Sequence, residues 1–294
     1  MFSQFFGHYL LNNNIVTNVQ LNDALAKKSE TRVKLGVLAI NQGYMTANQV
    51  DQVHQQQMKV DKRIGDIAVD MGFLTPTQID ELLASQKSAH LLLGQTLVDL
   101  GYMSNSLFES ALIDYKAKYQ LEDSDFIDES ADKTNEVVAS FLLFDELDSF
   151  EFLVDYTSLL FKSLTRFITD EFTPLVPSCV SGLECDLMVM QNINGEFSAN
   201  SGIIFTADSL VAFASKYAKE DITVADDYAE AVVSEFLNLH NGLFAVNISS
   251  DRDIELSLSP QIIEKNISVD TDKLCVVLPI SFTFGEVSFV ISLT

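Results

Sequence analysis

The sequence has few cysteines, few basic residues in its second half and no long uncharged apolar run. The three cysteines Cys179, Cys185 and Cys275 form no metal-ligand pattern, and their odd number fits a reducing compartment better than a disulfide framework. The N-terminus lacks the basic region and long apolar core of a signal peptide. The most apolar later stretch, 141–161, contains five acidic residues, which a membrane span would not easily accommodate. These absences predict a cytoplasmic protein without a membrane span.

Several catalytic and binding patterns are also missing. There is no phosphate-binding glycine loop of the Walker type, no Ser-His-Asp pattern and no basic stripe with interleaved aromatics. Kinase, protease and DNA-binding functions therefore have no support. His240 has no second His or Cys at ligand spacing, so we predict a surface or hydrogen-bonded helix residue and not a metal ligand.

The net charge of -24 lies almost entirely in the second half of the chain. Residues 1–118 hold 10 Lys and Arg against 11 Asp and Glu, whereas residues 119–294 hold 8 against 31. Such a field repels phosphate backbones and anionic membranes and attracts basic protein surfaces. We expect no nucleic-acid partner. A chain of 294 residues with 47% apolar residues fits two packed domains.

The first domain is a tandem repeat with a period of 29 residues, marked by Gly7, Gly36, Gly65 and Gly94. A second position in the same register carries Asn14, Gly43, Gly72 and Gly101, and Asn is the usual substitute for Gly where φ is positive. Each unit predicts a short helix, a Gly-closed turn, a Thr or Ser N-cap and a longer helix whose apolar stripe packs on neighbouring units. Four such repeats predict an all-α domain over residues 1–118.

The best-formed copy, Arg63-Ile64-Gly65 followed by Ala68, Gly72, Ile79, Leu83 and Gln86, resembles the motif of the MshEN family, the N-terminal domain of type II secretion and pilus ATPases. The preceding copy, with Lys34, Leu35, Gly36, Gly43 and Gln57, is similar but has Lys in place of Arg. Tandem copies in that family bind cyclic di-GMP, so the resemblance implies a ligand site made of two equivalent halves. The residues concerned are Lys34, Leu35, Gly36, Gly43, Gln57, Arg63, Ile64, Gly65, Gly72 and Gln86. Without a ligand, the same array would be a protein-docking surface, and both interpretations stay open.

Residues 119–149 are predicted to be an acidic linker and connecting helix between the repeats and a second domain over 150–294. Helices alternate with hairpins in the second domain, one hairpin turning at Asn194-Gly195 and another near Gly285, so its class is α+β or mixed α/β. The predicted helices cover 156–172, 208–217 and 224–241, the last closed by Gly242, and the predicted strands cover 185–190, 196–205, 274–282 and 286–293.

The long helix of this domain contains Glu235 and Asn238, which share one helix face because residues three apart are neighbours. With the following Leu256-Ser257-Leu258-Ser259-Pro260 and the two final strands, the pattern is similar to the CheX/CheC/FliY phosphatases of bacterial chemotaxis. The resemblance implies that the helix is inserted beside the phospho-aspartate of a CheY-like receiver. Asn238 would then orient the attacking water and Glu235 would engage a basic residue of the receiver. It also implies no cofactor of the chain's own, a Mg²⁺ ion on the receiver, and a homodimer formed through an apolar edge at residues 274–293.

One departure from that family pattern concerns the position four residues before the Glu. Some members have Asp or Ser there, whereas this chain has Ala231. Two functions therefore stay open: a phosphatase of an aspartyl-phosphate receiver, and a regulatory scaffold in which both domains only bind partners.

Overall fold

A computed structural model describes residues 2–84, 89–122, 125–126, 131–144, 150–196 and 198–293. The chain divides into two compact units, residues 2–130 and residues 131–294. The first unit is all helical and the second combines helices with an antiparallel sheet, which confirms the predicted fold class.

The described residues of the first unit form eight α-helices, two for each repeat, as the 29-residue period predicts, and a 3-10 helix at Lys28–Glu30. The α-helices are α1 (Phe2–Asn12), α2 (Asn18–Lys27), α3 (Leu35–Asn41), α4 (Ala47–Gln57), α5 (Ile64–Asp70), α6 (Pro76–Ala84), α7 (Ala89–Asp99) and α8 (Asn105–Tyr119).

The turn inside each repeat is built as the sequence predicts. The second marked position has a positive φ in all four repeats, at Asn14, Gly43, Gly72 and Gly101. The hydroxyl that follows each turn caps the longer helix. Thr17 and Thr46, for example, form capping boxes with the glutamine three residues later.

In the second, third and fourth repeats, the first glycine permits close packing between the two helices of that repeat. A Cβ on Gly36 would stand 2.6 Å from Cγ1 of Val50, and a Cβ on Gly65 would stand 3.1 Å from Cδ1 of Ile79. Gly94 faces the ring of Phe108 in the same way. These glycines therefore have a packing role that is independent of any ligand.

The repeats do not follow one another in space as in a linear solenoid. The first repeat packs on the fourth through α1, α2 and α7, the fourth packs on the second, and the second packs on the third. Equivalent side-chain contacts show a two-fold relation between the pairs: Tyr44 donates to Glu81 and Tyr102 donates to Asp23, each at 2.8 Å. The repeats therefore lie in the spatial order first, fourth, second, third, and the contacts with the fourth repeat cover the apolar face of α1.

The second unit contains four helices and six strands among its described residues. The helices are α9 (Ala131–Leu142), α10 (Phe150–Phe167), α11 (Ala207–Ala218) and α12 (Asp227–Arg252). The strands are β1 (Phe172–Pro174), β2 (Ser178–Gly195), β3 (Ala199–Phe205), β4 (Leu256–Leu258), β5 (Ile262–Phe282) and β6 (Gly285–Leu293). The helix predicted over 156–172 lies six residues earlier at its start, and Phe172 belongs to a strand. No helix in the described part of the chain is long and apolar enough to cross a membrane.

The strands form one antiparallel sheet in the order β1, β5, β6, β3, β2, β4, with β2 also paired to β5. Strand β6 is thus hydrogen-bonded to β5 on one side and to β3 on the other. The free apolar edge predicted at residues 274–293 is wrong, because both strands there have neighbours and the sheet ends at β1 and β4.

One face of the sheet packs against α10, α11 and α12 through an aromatic core. Phe213 of α11 lies 5.1 Å from Phe236 of α12 between ring centroids, and it also contacts Phe282 and Phe289 of the sheet. These rings are almost fully buried, so α12 is anchored to the sheet along one side.

Candidate functional site

The central element of the candidate site is α12, which is 26 residues long and held at both ends. At its start, the carboxylate of Asp226 accepts from the backbone N–H groups of Tyr228 and Ala229, each at 3.1 Å. At its end, Arg252 donates to Glu151 and Asp155 of α10. The helix is therefore a fixed platform for the side chains on its outer face.

The helix continues eleven residues beyond residue 241, where the sequence predicts its end, since Gly242 lies in its interior and does not close it. The reason is that Phe244 and Ile248 continue the buried face. Burying two such side chains contributes about 3 to 6 kcal/mol, which exceeds the roughly 1 kcal/mol that an interior glycine costs a helix.

Glu235 and Asn238 lie on the outer face of this helix, one turn apart. Glu235 is exposed, and among the described residues its carboxylate has no hydrogen-bond or ion-pair partner. It does add to the elevation of the pKa of nearby Tyr217, which burial mainly causes. Ala231 and Gly242 flank the pair with small side chains, and Val246, 63% exposed, follows one turn later. A partner can approach the helix backbone closely along this face.

The side chain of Asn238 is partly exposed and held by one hydrogen bond. Its Oδ1 accepts from Nε2 of Gln191, on strand β2, at 2.8 Å. Behind this contact, Asn241 donates to Oε1 of Gln191 at 2.9 Å and to the hydroxyl of Ser201 at 2.7 Å. Asn238 is therefore the outermost member of a chain of amides that extends into the core.

Sequence reasoning missed Gln191, Ser201 and Asn241. A signal for them exists: each is a polar residue at an inward position between apolar neighbours, as Gln191 is between Val189 and Ile193. A buried amide at such a position needs partners, and here the partners lead to Asn238.

His240 lies on the buried face of α12, away from Glu235. Its Nδ1 is 3.4 Å from Oγ of Ser163, and its ring meets Tyr156 edge-on with 4.6 Å between centroids. Burial lowers the pKa of His240 to about 3, so the ring is neutral at pH 7. The surface alternative is wrong and the hydrogen-bonded one is confirmed. No group of three His, Cys, Asp or Glu side chains that could hold a metal ion occurs among the described residues.

In the repeat unit, the two basic residues expected to contact a ligand have different surroundings. Lys34 forms an ion pair with Asp99 of the fourth repeat at 2.6 Å, and its backbone N–H donates to Gln95. Arg63 is exposed, and its guanidinium has no hydrogen-bond or ion-pair partner in the described part of the chain. Of these two residues, only Arg63 can bind an anion without first losing an existing ion pair.

The helix starts of the second and third repeats are brought together. Leu35, Gly36 and Ile64 line one small apolar pocket, and Cδ2 of Leu35 lies 3.4 Å from where a Gly65 Cβ would stand. Leu35, Gly36, Ile64 and Gly65 therefore form one apolar cluster, which leaves little empty space for a ligand.

The remaining predicted residues are placed apart from that cluster. Gly43 and Gly72 close the turns of their repeats with positive φ, and a Cβ on either would meet nothing within 4 Å. Gln57 donates to the carbonyl of Lys62 at 3.3 Å. Gln86 lies outside the described residues.

No model of a known protein family matches the chain, and no curated protein matches it either. Among solved structures, the C-terminal part is similar to a CheC-like superfamily protein from Shewanella sp. PV-4, with 19% identity, coverage of 50% of this chain and 99% of that one, and a TM-score of 0.44. It is also similar to the chemotaxis protein CheX from Vibrio vulnificus, with 14% identity, 49% and 99% coverage and a TM-score of 0.42.

A third similar structure is the CheX-CheY-BeF3-Mg complex from Borrelia burgdorferi, with 13% identity, 48% and 97% coverage and a TM-score of 0.42. At such identities and scores, these likenesses concern the course of the chain in the second unit and give no residue a role. The second unit is thus similar in structure to CheC-like and CheX-like chemotaxis proteins.

Proposed function

We propose that the second unit hydrolyses the aspartyl phosphate of a CheY-like receiver domain, with α12 docked beside the phosphoryl group. The observation that carries this proposal is the open face of α12, where Asn238 and the exposed Glu235 lie one turn apart between Ala231 and Gly242. The net charge of residues 119–294 adds attraction for a basic surface on the receiver.

The chemistry asked of this face is modest. An acyl phosphate is already activated and the receiver carries its own Mg²⁺, so the phosphatase needs only to place a water in line with the leaving oxygen. A neutral amide suits this task because it can donate and accept hydrogen bonds without bringing negative charge toward the phosphoryl group. We assign that role to Asn238, and we assign to Glu235 an ion pair with a basic residue of the receiver.

The test is incubation of the full chain with a panel of CheY-type receivers phosphorylated by phosphoramidate, following loss of the phosphoryl group. We expect faster loss for at least one receiver. Failure with every receiver would refute the phosphatase proposal. If the chain nevertheless bound a receiver activated with beryllofluoride, the scaffold alternative, which Ala231 favours, would take its place.

We also propose that the repeats bind cyclic di-GMP through Arg63, because its exposed guanidinium can pair with phosphate or stack on guanine. Calorimetric titration of the full chain should give binding that Arg63→Ala weakens and that added salt reduces. Lys62→Ala is the matched control, since Lys62 is a neighbouring cation already paired with Asp70 at 2.6 Å. Absence of heat and of a thermal shift at high micromolar ligand would end this proposal and favour a protein-docking surface.

We propose further that the chain is a homodimer through its second unit. A cluster of apolar side chains on the outer face of the sheet, which is only partly buried, supports this proposal. The buried members are Met188, Cys275 and Val290, and the partly exposed members are Val180, Leu183, Cys185, Met190, Ile204, Ile267 and Val277. A monomer mass in light scattering at micromolar concentration would contradict this proposal.

A further inference from the structure

Gln191 is a buried amide that connects the core of the second unit to Asn238. It lies on β2 with 1% of its surface exposed, between Val189 and Ile193, which are equally buried. A primary amide in such surroundings is stable only when its donors and its acceptor are paired.

Both N–H donors and the acceptor oxygen of the Gln191 amide are paired. Nε2 donates to the backbone carbonyl of Ser259 at 2.9 Å and to Oδ1 of Asn238 at 2.8 Å, while Oε1 accepts from Nδ2 of Asn241 at 2.9 Å. Since a backbone carbonyl can only accept, the Ser259 contact fixes which end of the Gln191 amide carries the nitrogen. Ser259 is itself fixed, because its N–H donates to the carbonyl of Asn192 at 3.0 Å.

The other end of the network is held equally firmly. The Tyr156 hydroxyl donates to Oδ1 of Asn241 at 3.3 Å, and Nδ2 of Asn241 also donates to Ser201 at 2.7 Å. Burial raises the pKa of Tyr156, so this hydroxyl stays protonated and remains a donor. Because Oε1 of Gln191 can only accept, Asn241 presents its nitrogen to Gln191 and its Oδ1 to the Tyr156 hydroxyl, so the direction of every hydrogen bond from Tyr156 to Asn238 follows.

We infer that Gln191 is a positioning residue that turns the carbonyl of Asn238 inward and its NH₂ group outward to the open face of α12, an inference that rests on the proposed phosphatase function. Asn238 then presents its NH₂ group as a donor of fixed direction to the reacting groups. The second lone pair of its Oδ1 remains able to accept a hydrogen bond from the attacking water. Donation from Gln191 also polarises the Asn238 amide and strengthens its N–H groups as donors.

A purely structural role for Gln191 predicts a different outcome from a positioning role, and two variants separate them. Gln191→Met keeps the length of the side chain but frees the Asn238 amide to rotate. Gln191→Glu keeps the shape but replaces the two N–H donors by at most one O–H donor, so the Ser259 carbonyl and Oδ1 of Asn238 cannot both receive a hydrogen bond. The matched control is Asn194→Ala, on the same strand, because Asn194 bonds the Ser259 hydroxyl at 3.0 Å and does not touch Asn238.

With a receiver that the parent chain dephosphorylates, we expect both Gln191 variants to lower kcat at least about tenfold at unchanged KM, and Asn194→Ala to leave both constants as in the parent. The double variant Gln191→Met, Asn238→Ala should be no slower than Asn238→Ala alone, because both changes remove the same hydrogen bond between Gln191 and Asn238. A folded Gln191→Met variant with the parent's kcat, or one changed only in KM, would overturn the inference.

The orientation can also be tested without catalysis, by NMR of the side-chain amide protons in the full chain. The Gln191 Nε2 protons should exchange slowly with water and those of Asn238 Nδ2 rapidly. Slow exchange at Asn238 Nδ2 would overturn the inference even if the phosphatase assay succeeded. If no receiver lost its phosphoryl group, the proposed function would fail, and the exchange rates would still decide whether Gln191 sets this orientation.

Discussion

Replacing Gly242 by alanine should stabilise the second unit, because Gly242 lies in the middle of a long helix. Gly242 has no positive φ, and a Cβ at this position would meet only Cδ1 of Leu258, at an ordinary 4.0 Å. Alanine is favoured over glycine in a helix interior by about 0.5 to 1 kcal/mol, and nothing in the described structure opposes this gain. For a unit of this size, the melting temperature should rise by about 1 to 4 °C.

Ala231→Gly is the matched control, because Ala231 lies on the same outer face of α12. It should lower the melting temperature by a similar amount. Calorimetry of the full chain, with the transition of the second unit assigned by these two variants, measures both effects. A Gly242→Ala variant that is less stable than the parent would refute the reasoning, because the glycine would then serve packing within the chain.

If the open face of α12 receives a partner, a long side chain at the same position should block it. Gly242→Gln should be at least as stable as the parent, yet weaken association with a beryllofluoride-activated receiver at least about tenfold. Gly242→Ala should have a much smaller effect, because a methyl group projects little. Unchanged association of the Gly242→Gln variant would place the receiver elsewhere on the molecule.

Two further predictions concern charge. Glu235→Ala should weaken receiver association, and its deficit relative to the parent should be larger at low ionic strength, where an ion pair is least screened; an equal deficit at all salt concentrations would argue against an ion pair. His240 has a folded-state pKa of about 3 against an ordinary value of 6.5, so the unfolded chain binds a proton that the folded chain does not, and stability falls as pH falls below 6.5. Between pH 7 and 5.5 this loss amounts to about 1.3 kcal/mol in urea unfolding of the second unit. His240→Phe should remove it, and a variant with the parent's pH dependence would show that the ring is not buried as a neutral group.

The repeat architecture could be predicted from the sequence because its determinants are local. A positive φ at Asn14 and Gly43 and a capping hydroxyl at Thr46 are set by residues within one or two turns. The spatial order of the repeats was not predictable in this way. It depends on contacts between residues far apart in sequence, such as Tyr102 with Asp23, and a period of 29 residues is compatible with more than one spatial order of the repeats.

The candidate site was predicted in part. Glu235 and Asn238 follow from helical spacing together with a family resemblance, whereas Gln191 becomes significant only when β2 is laid against α12. The end of α12 was misplaced because Gly242 satisfies the local rule for a helix end, and the burial of Phe244 and Ile248 overrides that rule. The predicted strand edge at 274–293 failed because strand neighbours are a property of the whole sheet.

The most direct test of the proposed function is the rate at which Asn238→Ala removes the phosphoryl group from a receiver that the parent chain dephosphorylates. Asn238 is partly exposed, so water can replace its Oδ1 as the acceptor for Gln191 after truncation, and the melting temperature and receiver association should stay close to those of the parent. We predict that the accelerated loss of the phosphoryl group disappears in this variant. Hydrolysis at the parent's rate, with an unchanged melting temperature, would contradict the account.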